Sequence, residues 1–219
     1  MEQITLLELS LDIESIIIGE QFKGGTFRPC LETIPSSTIE GAFFYHFGVH
    51  LPAVGMFVDK TYEMQEFTYS VRDKSLNISK LPIMTNYLAP AKKNGCEYIR
   101  AKIFLPYDTA QPYQEQLAQA TFFMGALKNK GFGKCQVTAL AKRDVEIMQG
   151  ILNVKIFEEE CSAFGIKKVI APKYGYLFKL DEEPENPGKG VYKRTLLSGS
   201  VVNAPKVLLQ REEGTYYDE

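Results

Sequence analysis

The spacing of hydrophobic and polar positions changes several times along the chain, and each change predicts an element. Residues 4–18 alternate loosely and are rich in Leu and Ile, which predicts a long first strand broken at Lys23-Gly24-Gly25. From Ser37 the period lengthens to that of a helix. Ile39, Ala42, Phe43 and Phe47 share one face, Ser37 and Glu40 have capping-box spacing, and Gly48 suits a left-handed stop. Residues 54–59 and 66–72 read as short strands. Between 73 and 96 the periodicity fades, because Asn77, Pro82, Asn86, Pro90, Asn94 and Gly95 interrupt Leu76, Ile78, Leu81, Tyr87 and Leu88. So long a stretch is either a functional excursion or a pair of strands obscured by its turn residues. Residues 98–105 alternate cleanly, with Ile99, Ala101, Ile103 and Leu105 on one face. A second helix is predicted from Asp108 to about Lys128 on the stripe Leu117, Thr121, Met124 and Leu127, with Pro112 in its first turn. Residues 135–141 form a further strand.

In sequence, 4–141 therefore spells β-α-β-β-α-β, the ferredoxin-like (RRM-like) order of an α+β domain, with an insertion at about 73–96. From 142 the texture changes. Short helices are predicted at 144–151 and 158–165, strands at 169–170, 174–180 and 195–209, and an exposed turn at 181–190. The expected organisation is a first domain over 1–141 and a smaller β-rich unit over 142–219 that ends in an acidic tail at 212–219.

The 219 residues suffice for one substantial core, and 45% apolar content with 14 Phe and 12 Tyr is that of a folded protein. No apolar run is long enough to span a bilayer, and the opening 1–18 carries four acidic residues with no basic n-region. A cytoplasmic protein with no membrane partner is the expectation. Four scattered cysteines (30, 96, 135, 161) form no C-x-x-C pair and read as separate small hydrophobes. A net charge of −2 argues against a free-standing nucleic-acid binder, but its distribution leaves room for a local basic site. Lys128, Lys130, Lys134, Lys142 and Arg143 cluster at mid-chain.

The sharpest candidate chemistry lies in that cluster, at Lys128-Asn129-Lys130-Gly131-Phe132-Gly133-Lys134. Two glycines around an aromatic permit positive φ and leave N–H groups uncovered, and three lysines add charge that suits a phosphate. The simpler reading is a helix C-cap at Gly131 followed by a tight turn. Ser36 and Ser37 at a helix start can bind an anion or serve as a cap. The Lys92-Lys93 pair can touch a polyanion, and Arg28 stands on the approach to the first helix. Phe132 either stacks on an unpaired base or is buried under its loop. The two histidines, His46 and His50, are four residues apart, but Gly48 falls between them and no third ligand is suitably spaced, so neither a metal nor a cofactor is expected. Tyr45, His46 and Lys128 are of the types used for metal-free RNA cleavage, yet nothing selects them, and no nucleophile or phosphate-loop motif is present. The residues support a binding subunit better than an enzyme.

Two segments resemble one family. Ile34-Pro35-Ser36-Ser37-Thr38-Ile39-Glu40-Gly41-Ala42 resembles the I-P-G-S-S-(hydrophobic)-(polar)-G-A signature of the RAMP superfamily of CRISPR-associated proteins. Lys130-Gly131-Phe132-Gly133-Lys134 resembles that superfamily's glycine-rich loop. The chain departs from the pattern at Ser36, where the family has glycine, and in the shortness of the loop. The resemblance implies RNA handling. A mid-chain loop and an inserted hairpin are most similar to the group that caps the 5′ handle of crRNA, Cas family five, in which residues 73–96 would be the thumb. It implies crRNA and other effector subunits, a large subunit and a backbone subunit, as partners in antiviral defence. The same superfamily also contains crRNA-processing endoribonucleases and backbone subunits, and an unrelated ferredoxin-like protein binding a small anionic ligand is a further alternative. On a slightly acidic protein, a few phosphate contacts imply weak binding alone and tight binding only in an assembly.

Overall fold

A computed structural model describes residues 2–19, 27–58, 61–73, 75, 78–79, 81–180 and 189–210. The expected break at 23–25, most of the turn at 181–190 and the acidic tail lie outside them. In chain order the strands are β1 (Gln3–Ile13), β2 (Phe27–Arg28), β3 (Val54–Phe57), β4 (Tyr62–Tyr69), β5 (Arg72–Asp73), β6 (Ile78–Ser79), β7 (Ile83–Pro90), β8 (Ile99–Pro106), β9 (Thr121–Phe123), β10 (Lys134–Ile151), β11 (Ile156–Phe157), β12 (Lys168–Ala171), β13 (Tyr174–Leu180), β14 (Gly190–Leu196) and β15 (Val201–Pro205). Helix α1 (Ser36–Phe47) lies between β2 and β3, and the one-turn helices α2 (Tyr107–Ala110) and α3 (Gln114–Leu117) follow β8.

The main sheet has the order β12-β15-β10-β1-β8-β3, with β9 beside the start of β10. β1 is antiparallel to both β8 and β10, and Leu9 is aligned with Ile103 on one side and Leu140 on the other. The alternation legible in β1 now has a cause. Leu7, Leu9, Leu11 and Ile13 point into one core with Ile39, Ala42 and Phe43 of α1, while Leu6 points into a second core with Phe104, Phe164 and Val202. Only the end of the sheet near Leu6 is covered on both faces, so Leu6 and Leu7 are both fully buried. The four cysteines are unpaired, and Cys30 and Cys135 are buried.

Several sequence expectations are corrected. Ser37 is not the cap of α1. Pro35, extended at φ −67° and ψ 143°, precedes the first helical residue, its carbonyl accepts from Thr38 N–H at 3.0 Å, and no side chain caps the helix. Gly48 does close α1, left-handed at φ 70°, with its N–H donating to Phe44 O. The long second helix does not form. Ala118 turns extended, Gln119 sits at φ 60°, and Thr121–Phe123 pairs with β10. The reason is aromatic: Phe122, fully buried, packs edge-on to Phe43 and Phe47, a position served by a β-strand and not by another helical turn.

The stretch whose periodicity faded is a pair of strands in disguise. β4 and β7 form an eight-residue antiparallel ladder that β2 extends in parallel, and β5 and β6 pair beyond it. The inserted hairpin thus begins at Tyr62, earlier than residue 73. At the other end, 144–151 is strand and not helix, because it continues β10 into a ladder with β15. The helix expected at 158–165 reduces to a single 3-10 turn at Glu158–Glu160 followed by further turns. The strand expected over 195–209 is two strands with Gly199 left-handed between them. The boundary expected after residue 141 falls inside β10. Among the described residues, no helix is long and apolar enough to cross a membrane.

Candidate nucleic-acid interface

The glycine turn joins β9 to β10, not a helix to a strand. A 3-10 turn, Lys128–Lys130, is bracketed by left-handed residues at Leu127 (φ 53°) and Gly131 (φ 91°). The turn is docked onto the segment after β1: Ala126 N–H donates to Ile17 O at 2.8 Å and Gly133 N–H to Ser15 O at 2.7 Å. Gly133 is fixed by space as well as by its φ of 83°, since a Cβ there would lie 1.9 Å from Met124 O. At Gly131 a Cβ would meet nothing within 4 Å, so only the backbone angle calls for glycine.

This geometry corrects the expected phosphate nest. Gly131 N–H donates to Lys128 O at 3.1 Å and Gly133 N–H to Ser15 O, so both amides are used inside the protein. What the turn offers outward is side chains, namely exposed Lys128, Asn129 and Lys130. Phe132 takes the buried alternative. It is 7% exposed, and its ring meets Phe67 of β4 and Tyr87 of β7 edge-on, each at 5.1 Å. It clamps the turn to the hairpin, which closes off base stacking at that ring.

Turn and hairpin together enclose a cleft of about 430 Å³. Gln65, Tyr87 and Pro90 form its hairpin wall, Lys130, Gly131 and Phe132 its turn wall, and Lys92, Glu14 and Glu97 its rim. Two expected cationic sites, Lys92 and Lys130, therefore meet at one opening, with Lys93 exposed on the same 3-10 turn as Lys92. Lys134 is placed differently. Its Nζ pairs with Glu14 at 2.7 Å, and that contact raises its pKa.

The remaining candidates do not join this cleft. Ser36 is fully buried with its N–H donating to Lys155 O, and its buried hydroxyl has no hydrogen-bond partner among the described residues. Ser37 lines a separate small polar cavity with Glu40, Gly41, Phe44, His50 and Lys179. The Arg28 backbone pairs with Thr85 of β7; its side chain is outside the described set. Lys128 Nζ lies 5.1 Å from the ring centre of exposed Tyr45, and burial lowers the lysine's pKa. Burial, and then the Lys128 charge, also lower the pKa of His46, whose Nε2 accepts the Phe123 N–H at 2.9 Å. That nitrogen's lone pair is thus unavailable as a general base. His50 stacks on Phe44. Among the described residues, no group of three His, Cys, Asp or Glu is placed to hold a metal ion.

Sequence reasoning missed Gln65 and Tyr87, because 83–90 lacks the alternation that marks a strand and only the pairing of β4 with β7 sets Gln65 opposite Tyr87. It also missed a buried group, Glu40 with Glu160 and Lys179, which no local pattern announces. Lys179 Nζ reaches Glu159 at 3.0 Å and Glu160 at 2.5 Å. Burial, followed by the neighbouring Glu160 charge, pushes the Glu40 carboxyl up to about 9.

No family model and no curated protein matches this sequence. Solved structures do match. A chain in the cryo-EM structure of the type III-B Cmr-beta bound to cognate target RNA and AMPPnP, state 1, is similar over 90% of this chain and 86% of that one. The TM-score is 0.58 at 13% identity. A chain in the Cmr-beta structure bound to cognate target RNA alone gives the same TM-score and coverage at 12% identity. What is shared is the fold.

Proposed function

We propose that this chain is a non-catalytic RNA-binding subunit of a CRISPR effector complex, and that it caps the 5′ handle of crRNA. The observation that carries this reading is the cleft in which Lys92 and Lys130, from separate parts of the chain, face one opening between a glycine-fixed turn and an inserted hairpin. The fold shared with a chain of an RNA-bound Cmr-beta supports it. So does the order β10-β1-β8-β3, with α1 between the first and second of these strands in sequence, which is the strand order expected of a ferredoxin-like domain, though only one-turn helices stand where its second helix would be. Within the reading, residues 62–90 act as the thumb. Lys92, Lys93, Lys128 and Lys130 neutralise phosphates, Asn129 orients one, and unstacked bases meet Tyr87 and Gln65 at the cleft wall.

The test is retention and cleavage of labelled crRNA with its 5′ handle, by wild type and Lys92→Ala/Lys130→Ala, across a salt series and with the proteins encoded beside it present or absent. The expected result is retention without cleavage. The double variant should bind more weakly, with a salt slope reduced by roughly 1.4, from about 0.7 per lost phosphate contact. A second reading rests on the size of the cleft, which is within the range of small-molecule sites. If a mononucleotide saturates the cleft and crRNA does not compete, that reading replaces the first.

A further inference from the structure

One wall of the cleft carries a chain of hydrogen bonds whose direction is set by chemistry. Glu63 and Gln65 are alternate residues of β4 and share a face, and Gln65 lies directly opposite Tyr87 in the β4–β7 ladder. Gln65 Nε2 donates to Glu63 Oε1 at 2.8 Å, and Tyr87 Oη donates to Gln65 Oε1 at 2.5 Å. A carboxylate only accepts, so the Gln65 amide turns its NH2 to Glu63 and its carbonyl to Tyr87. Flipped, the amide would set one acceptor oxygen against another. The carbonyl also only accepts, so the Tyr87 hydroxyl proton is committed to it, and the Tyr87 oxygen has lone pairs alone left to offer. Phe132, edge-on at 5.1 Å, packs against the ring that carries this oxygen. Gln65 and Tyr87 line the cleft, whereas Glu63 acts on it through Gln65.

The other polar side chains of the cleft divide by type. Lys92 and Lys130 only donate, and the carboxylates of Glu14 and Glu97 only accept. Lysines suit phosphate oxygens, whereas an acceptor at Tyr87 calls for an N–H on the base. Uracil, guanine and cytosine bring carbonyl oxygens to their edges, which an acceptor-rich wall disfavours. Adenine has none: it presents its N6 amino group as donor beside a ring nitrogen that accepts. That pair matches the Tyr87 oxygen and the second Nε2 hydrogen of Gln65. We infer that the cleft selects an adenine nucleotide, whose N6 amino group donates to Tyr87 Oη, and that Glu63 is the positioning residue that fixes the direction of this contact. The inference rests on the proposed function for the presence of RNA in the cleft.

The experiment measures binding of octaadenylate, of the same oligomer built from purine riboside, which lacks only the amino groups, and of octauridylate. Wild type, Tyr87→Phe and Glu63→Gln are compared, with melting temperatures and salt slopes recorded alongside. Wild type is expected to prefer octaadenylate over the purine oligomer by about two- to tenfold, the worth of one hydrogen bond. Tyr87→Phe keeps the packed ring and should bring that ratio to about one, with the salt slope unchanged because no cation is lost. Glu63→Gln, whose amide tolerates either orientation of Gln65, should give an intermediate ratio at an unchanged melting temperature. A wild-type ratio of one, a ratio that survives Tyr87→Phe or Glu63→Gln, or octauridylate bound as tightly as octaadenylate overturns the inference and leaves the proposed function standing. If wild type holds no RNA, the proposed function fails, and adenosine and purine riboside monophosphates decide the rest. The same ratio between them, lost in Tyr87→Phe, keeps the adenine site; equal or absent binding ends both.

Discussion

Two glycines two residues apart bear unequal constraints. Gly133 needs both its positive φ and its empty Cβ position, whereas Gly131 needs only the angle. Gly131→Ala is therefore expected to cost about 1 kcal/mol, the left-handed penalty alone. Gly133→Ala adds a clash with Met124 O that no side chain can relieve, and the expected cost is about 3 kcal/mol or more. Urea unfolding of the two variants checks this, and equal midpoints would show that the docked turn is softer than its hydrogen bonds indicate. From the sequence both glycines were legible as a turn. The difference between them was not, because it depends on a carbonyl nine residues away that reaches Gly133 only once β9 pairs with β10. The phosphate nest failed for the same reason: a local motif does not reveal that Ser15 lies opposite an amide.

At the scale of elements, the hairpin of β4 and β7 is fastened to the turn through one ring, that of Phe132, set between Phe67 and Tyr87. Phe132→Ala removes this clamp while leaving every cleft cation in place. A loss of about 3–5 kcal/mol is expected for truncating a buried Phe. Hydrogen exchange should rise first in β4 and β7, and if the increase is uniform over the main sheet, Phe132 serves the whole core and not the hairpin. Strands with apolar alternation, loose in β1 and clean in β8, were legible in the sequence, as was α1 from its period and its Gly48 stop. The failures have one origin. Residues 117–127 carry apolar side chains at helical spacing, yet the ring of Phe122 is buried by strand pairing. Residues 144–151 read as a helix because Val145 alone is buried there, and so exposed a strand has too little apolar alternation to show its period of two.

At the scale of the molecule, α1 meets the C-terminal half through Glu40, Glu160 and Lys179. Glu40 is held neutral by burial and by Glu160, with a folded-state pKa of about 9 against 4.5 for an ordinary glutamate. A raised pKa means that the folded state retains a proton the unfolded state gives up. The stability from this group is complete below pH 4.5 and is lost as pH rises toward 9. Glu40→Gln keeps the neutral amide at every pH, so its melting temperature is expected to fall less between pH 6 and 9 than that of wild type. Parallel curves for the two proteins across this range would rule out a protonated Glu40. Nothing in the sequence pairs residue 40 with residue 160; only the packing of the two halves does so.

The 18 residues of β10 make ladder pairs with β1 over their first two-thirds and with β15 over the rest. Both hydrophobic cores are thus strung on a single strand, and among the described residues the crossing from one to the other at 134–151 is ladder and not linker. A fragment ending at 141 would strip Lys142–Ile151 from β10 and leave the start of β1 without its partner. The cleft and the second core are therefore joined through one continuous strand, and a single unfolding transition is the expected outcome.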